Sequence, residues 1–134
     1  MKVRQDVAAP EGFCSLAEGA DQIFADLILS HLGKLHVIIP CDDYIETFTT
    51  QADRDKFQSL LAQASSVTHM KFSEASEEAF WAAGRAVVEE SDQLYAVWNG
   101  QAAGGLGGTA DVVGYAKSLA IPVTIVWPTG STRV

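Results

Sequence analysis

Long apolar runs, basic residues and cysteines are all scarce in this sequence of 134 residues. No apolar run approaches the ~20 residues that a membrane-spanning helix needs, so we expect no membrane partner. The first ten residues are polar and lack the apolar stretch of a secretory signal peptide, which favours a cytoplasmic location. In that compartment Cys14 and Cys41 are expected to be free thiols, and no histidine is placed by the sequence to activate either one.

The charge balance limits the classes of ligand. Nine Lys and Arg residues face seventeen Asp and Glu residues, which gives a formal net charge of −8. Because phosphate neutralisation dominates nucleic-acid binding, we expect no nucleic-acid partner. A small anion remains compatible, since backbone dipoles rather than net charge would hold it. His31, His36 and His69 lack the spacing of metal ligands, so we predict neither a metal nor a cofactor.

The apolar pattern predicts a single domain over residues 1–134. Hydrophobic residues make up 48% of the chain, enough for a core. β-branched runs alternate with helical periodicity, which is typical of an α/β fold. We predict a three-layer Rossmann-like fold with a mostly parallel central sheet. The predicted strands cover 12–16, 35–40, 67–72, 94–98 and 123–127, and the predicted helices cover 20–32, 53–64, 76–90 and 109–119.

Helix ends and inward faces follow from capping residues and from spacing. Gly33 is predicted as a C-cap, and Asp53 and Ser76 as N-caps. The predicted inward face of the first helix contains Ile23, Phe24, Leu27, Ile28 and Leu32. That of the last helix contains Val112, Val113, Ala116 and Leu119.

The strand that normally opens such a domain is absent or degenerate here. Only Lys2–Val7 is a weak candidate for it. Three explanations are open: that run fills the central position, a partner chain fills it, or the native protein is longer at its N-terminus. An unfilled position would expose two rows of backbone donors and acceptors, which is too costly to leave open.

A glycine-rich loop, Gly104–Thr109, joins a predicted strand to a predicted helix. Its backbone N–H groups and the positive end of the helix dipole form a site suited to a phosphate. In open parallel sheets, ligands bind beyond the carboxyl ends of the strands, where further polar residues collect. The candidate ligand-binding residues are Gly105, Gly107, Gly108, Thr109, Asp21, Asp43, Tyr44, Arg85 and Trp98.

Several of these residues have an alternative, purely structural interpretation. Asp21 would serve equally as a helix N-cap, and Asp43 as a solvated loop charge. Tyr44 would either stack on a base or cover the core. Arg85 would bind phosphate or pair with a carboxylate. Trp98 is the tryptophan expected to reach the pocket.

Three segments resemble the SLOG superfamily of Rossmann-like domains, which includes the lonely-guy phosphoribohydrolases and the Rossmann domain of DNA-processing protein A. Ser15–Asp21 is similar to the Ser-Gly-Leu-Ala-x-Gly-Ile-Asp motif of the latter, one residue shorter. Gly33–Pro40 resembles the strand that follows in that family. Asp92–Thr109 resembles the superfamily's strand and phosphate loop ending in Gly-Thr. Related domains often form dimers, so the resemblance also implies a homodimer.

The resemblance implies a nucleotide-derived, phosphate-containing ligand. Lonely-guy enzymes place a glutamate three residues after Gly-Thr, and this chain has Val112 there. We therefore expect a binding or sensing protein for such a small molecule. The alternative is a nucleotide N-glycosidic-bond hydrolase or transferase, in which Asp111, Glu18 or Asp43 replaces the missing carboxylate. A third hypothesis is an assembly protein that keeps only the fold.

Overall fold

The predicted alternation of strands and helices is confirmed. A computed structural model describes residues 9–97 and 109–126. Within these ranges, one 3₁₀ turn that the sequence pattern did not predict covers Tyr44–Thr47. The regular elements are β1 (Glu11–Cys14), α1 (Ala20–Ser30), β2 (Lys34–Ile39), α2 (Gln51–Ala62), β3 (Ser66–His69), α3 (Glu77–Glu89), β4 (Leu94–Val97), α4 (Thr109–Ser118) and β5 (Val123–Val126).

The strands form two parallel sets. β1, β2 and β3 pair in that order, with Phe13 opposite His36 and His36 opposite Ser66. β4 pairs with β5, and Leu94 lies opposite Val123. The parallel pairing and the crossover helices establish a small α/β Rossmann-like fold. None of the helices in the described ranges is long and apolar enough to cross a membrane.

Two apolar clusters hold these elements together. In the first, Leu35 and Val37 of β2 are fully buried beside an aromatic group formed by Tyr44, Phe48 and Phe57. The second joins β4 to α4 through Val88, Leu94, Ala96, Val113 and Ala116. Each large buried side chain contributes about 1.5–3 kcal/mol relative to exposure. Because α3 packs on both β2 and α4, it connects the two sets of strands.

One predicted N-cap is confirmed and one is wrong. The Ser76 hydroxyl accepts a hydrogen bond from the Ala79 N–H at 3.0 Å. At α2 the cap is Thr50 rather than Asp53. The Thr50 Oγ1 accepts from the Asp53 N–H at 3.1 Å and donates to the Asp53 carboxylate at 2.8 Å. This arrangement resembles a capping box, with the acidic residue at the third helical position, but the Thr50 hydroxyl rather than the Thr50 backbone N–H donates to the carboxylate.

The predicted C-cap at Gly33 is also wrong. α1 ends at Ser30, and Leu32 takes the left-handed conformation with φ 59°. The Gly33 N–H donates to the Ile28 carbonyl at 2.8 Å, which places Gly33 one position beyond the left-handed residue of a Schellman motif. A glycine is required at this position because a Cβ would lie 2.5 Å from the Pro10 carbonyl oxygen.

The apolar stripe of α1 meets the core only in part, because Phe24 packs against the core whereas Leu32, which was predicted to face inward, is 87% exposed. Ile23 is 63% exposed and Leu27 is 55% exposed, whereas Gln22 and Ala25 are buried. On α4, Val113 and Ala116 are buried as predicted, but Val112 is only half-buried. Leu119, which follows the last residue of that helix, is 46% exposed. The exposed stripe of α1 borders an open cavity instead.

Two mid-helix glycines offer a matched test of this packing. Gly114 in α4 has open space where a Cβ would stand, whereas at Gly84 in α3 a Cβ would meet the Val112 Cγ2 at 2.8 Å. Replacing Gly114 by alanine should raise the free energy of unfolding by about 0.5–1 kcal/mol. Gly84→Ala should give a smaller gain or a loss, because valine is stiff. Denaturant unfolding measures both; equal gains would contradict this packing of α3 against α4.

Candidate functional site

A large cavity lies between β1 and β4. Its volume is about 1820 Å³, which exceeds the roughly 300–1,000 Å³ of ordinary small-molecule pockets. Glu11–Ser15 and Gln93–Ala96 line it, so it runs along both strands. Residues from the β1–α1 connection and from the beginning of α4 border the same space. The cavity therefore includes the carboxyl end of β1, where the sequence predicts the site.

The β1–α1 connection folds around the carboxylate of Asp21. The Asp21 Oδ2 accepts hydrogen bonds from the Ser15 N–H and the Ala17 N–H, each at 3.2 Å. Leu16 between them has φ 57° and is fully buried, and Gly19 has φ 86°. Asp21 is not the helix N-cap, because Gly19 occupies that position without a side-chain bond. It therefore holds the loop in shape and also borders the cavity.

Burial raises the pKa of the Asp21 carboxyl above its usual value. Desolvation disfavours the ionised form, and the two backbone N–H groups oppose it only in part. The loop thus places a carboxyl that resists ionisation beside the cavity.

Glu18 connects this loop to the segment before α2. Its Oε1 accepts from the Thr49 N–H at 2.5 Å, and its Oε2 accepts from the Thr49 hydroxyl at 3.0 Å. Glu18 and Thr49 both line the cavity. Both oxygens of the predicted catalytic carboxylate are therefore engaged in positioning a neighbouring segment.

Tyr44 both covers the core and reaches the cavity. It is 5% exposed, and its ring lies 5.2 Å from the Phe48 ring and 5.8 Å from the Phe57 ring. Tyr44 also lines the cavity. Desolvation, together with the nearby Asp21 carboxyl, raises the pKa of Tyr44. Tyr44 therefore stays protonated beside the cavity.

The beginning of α4 supplies the other border. Thr109 is its first residue, and Thr109, Val112 and Val113 line the cavity. Asp111, the other predicted catalytic carboxylate, is not among the lining residues and makes an interaction of its own. The apolar Val112 side chain borders the cavity instead. The predicted ligand-binding residues Gly105, Gly107, Gly108 and Trp98 lie outside the described residues.

Two other predicted ligand-binding residues do not border the cavity. Asp43 is half-buried, and its Oδ1 has no hydrogen-bond partner among the described residues. Arg85 is exposed, and its guanidinium lies over the Trp81 ring at 5.4 Å from the centroid. The cavity thus gathers Glu18, Asp21, Tyr44 and Thr109 and leaves out Asp43, Arg85 and Asp111.

Three polar side chains, those of Ser66, His36 and Glu11, form a Ser–His–Glu row across the three-stranded sheet, and nothing in the sequence pattern predicts it. The His36 Nδ1 lies 2.6 Å from the Ser66 Oγ, and its Nε2 lies 2.9 Å from the Glu11 Oε1. The His36 ring also stacks on Phe13 at 4.5 Å. His36 and Ser66 do not line the cavity. Strand register brings these side chains together, and we assign the row to cross-strand pairing rather than to catalysis.

Within the described ranges, neither metal-ligand clusters nor similarity to known proteins assign a site. The described ranges contain no group of three His, Cys, Asp or Glu residues able to hold a metal ion. No protein-family model matches the chain, and no curated protein matches it.

Both cysteines should resist alkylation in the native protein. Cys14 and Cys41 are free and buried. Desolvation raises the pKa of Cys14 to about 12 and that of Cys41 to about 11. At pH 8 only about one Cys14 thiol in ten thousand and one Cys41 thiol in a thousand would be ionised. Mass spectrometry after iodoacetamide treatment should find both unmodified, with rapid labelling in denaturant. Rapid native labelling of either would contradict this environment.

Asp21 should give stability a defined pH dependence. Because its pKa in the folded state is above the usual 3.8, its contribution is fully present below pH 3.8. That contribution is lost as the pH rises through the raised pKa. The free energy of unfolding of Asp21→Asn, minus that of the unsubstituted protein, should therefore rise as the pH increases from 3.8 through the raised pKa. Chemical denaturation at several pH values measures it, with Glu74→Gln at an exposed position as control. A difference independent of pH would show that Asp21 titrates normally.

Proposed function

We propose that the protein binds or senses a nucleotide-derived, phosphate-containing small molecule. The observation that carries this proposal is that the N-terminus of α4 borders a cavity whose other border, at the N-terminus of α1, carries carboxyl groups. The first turn of a helix has unpaired N–H groups and a positive dipole end, which favour an anion. An acidic protein is able to hold a phosphate in this way without a cluster of basic side chains.

The two ends differ in chemistry, which supports an orientation for the ligand. Glu18 and Asp21 stand at the α1 end, where carboxyl oxygens accept bonds from sugar hydroxyls and the Glu18 carboxylate would repel a phosphate. The Tyr44 hydroxyl lies within the electrostatic influence of both carboxyl groups. α4 begins with a threonine and has the apolar Val112 at the cavity. We therefore place the phosphate at the α4 end and the sugar or base at the α1 end.

Hydrolysis of an N-glycosidic bond is the second candidate function. It rests on Glu18, which borders the cavity and carries a carboxylate. A general acid or base must reach the reacting atoms. Asp111 is therefore disfavoured, because it is not among the residues that line the cavity. Glu18 would have to release Thr49 in order to act. This requirement, together with Val112 at the position of the family's glutamate, favours binding over catalysis.

The binding proposal predicts a ligand-dependent rise in melting temperature. At least one of the nucleoside 5′-monophosphates AMP, GMP, CMP and UMP should stabilise the protein. At a ligand concentration one hundred times its Kd, the free energy of unfolding should rise by about 2.7 kcal/mol. Val112→Glu should weaken that binding at least about tenfold, because the new carboxylate would face the phosphate. Gly114→Glu is the matched control, since it adds the same charge to an exposed position of α4 with open space around it.

The same samples separate the two candidate functions. Recovery of intact monophosphate after long incubation supports binding. Release of free base, lost in Glu18→Gln but kept in the exposed control Glu46→Gln, would instead establish the hydrolase. No stabilisation by any monophosphate would contradict both.

A further inference from the structure

The outward face of α3 combines acidic, small and basic residues. Its members are Glu78, Ala82, Arg85 and Glu89, which follow one another at spacings of four, three and four residues. This spacing places all four on one side of the helix. The two glutamates and the arginine are exposed, and the alanine is half-buried. None of the four lines the cavity, so this face is separate from the candidate ligand site.

Neighbouring aromatic side chains hold Arg85 in place. Its guanidinium lies over the Trp81 ring, 5.4 Å from the ring centroid. The Trp81 ring meets the Tyr115 ring edge-on at 5.8 Å, and the Tyr115 hydroxyl donates to the Glu89 Oε2 at 2.5 Å. Stacking on an aromatic face holds a guanidinium without using its N–H donors. Less side-chain entropy is therefore lost when this arginine binds a carboxylate.

Charge determines which partner this face fits. The chain has a formal net charge of −8, so two copies repel each other unless a cation of one lies against an acid of the other. Arg85 is the single basic residue of α3. A matching partner offers a carboxylate to Arg85 and, two helical turns or about 10 Å away, a basic group to Glu78. An antiparallel copy of α3 offers both groups at that spacing.

We infer that the outward face of α3 is the interface of a homodimer, in which the α3 helices of two copies cross antiparallel about a two-fold axis at Ala82. A two-fold interface is self-complementary, so Arg85 of each copy faces Glu78 of the other and the pair occurs twice. The small Ala82 side chain allows the two backbones to approach closely where they cross. Trp81 and Arg85 beside the crossing point are of the residue types that contribute most to binding in protein interfaces.

Sedimentation equilibrium of the intact chain, combined with charge reversal, tests this interface. Arg85→Glu should weaken dimerisation at least about a hundredfold, because symmetry places two new like-charge contacts in one interface. Glu78→Arg should weaken it to a similar extent. The double variant that combines both substitutions restores the two pairs in reverse. It should therefore recover at least about tenfold of the lost affinity, which measures the coupling between the two residues.

Two control variants separate this contact from a general effect of net charge. Lys71→Glu and Glu46→Arg make the same changes of charge at exposed positions away from α3. Both should leave the dimer dissociation constant nearly unchanged. The melting temperature of each variant, measured on the same samples, shows that the fold is retained.

Three results would overturn the inference. The first is a native chain that sediments as a monomer at every concentration up to about 1 mM, where even weak association becomes visible. The second is an Arg85→Glu variant that dimerises as tightly as the native chain, which would place the contact on another surface. The third is a double variant that dimerises no better than the single ones, which would show that Arg85 and Glu78 do not meet.

Discussion

Backbone pairing along the inner edges of β1 and β4 is the constraint on which the rest of the structure depends. Each strand satisfies only one of its edges within the described residues, through β2 and β5 respectively. α3 links the two sets of strands by packing on β2 and α4, so the gap persists without a direct β1–β4 ladder. The cavity follows from this gap, and so does the exposure of the α1 stripe. Exposing the apolar stripe of α1 to water in the cavity is unfavourable. We therefore regard the cavity as a binding site.

The same gap positions the polar groups at the cavity. The β1–α1 connection must turn sharply at the end of β1, and it does so by wrapping two backbone N–H groups around the Asp21 carboxyl. Glu18 then holds the segment before α2 through Thr49. These bonds orient the α1 N-terminus, while α4 begins on the other border of the cavity. Loop structure, rather than a cluster of charged side chains, therefore defines the proposed phosphate and sugar ends.

The sequence predicted the features that depend on interactions between residues close together in the chain. Strand and helix order follows from apolar periodicity, and the Ser76 cap follows from a hydroxyl before an acidic first turn. The Thr50 cap was missed because Thr50 and Asp53, which bond to each other, are both residue types that cap helices. The α1 face was misassigned because periodicity identifies an apolar stripe but not the element that covers it. Long-range packing also decides that Val112 borders the cavity whereas Arg85 lies over Trp81, which spacing along the chain does not show.

Cross-strand nuclear Overhauser contacts between Phe13 and Tyr95 in the isolated chain test the central claim most directly. Paired strands lie about 4.8 Å apart, so a gap that admits one more strand separates the two edges by about twice that distance. The account predicts strong contacts from β1 to β2 and from β4 to β5, and none between the backbones of Phe13 and Tyr95. A continuous ladder of contacts from β1 to β4 would show that β1 and β4 pair directly, and would contradict the cavity between them.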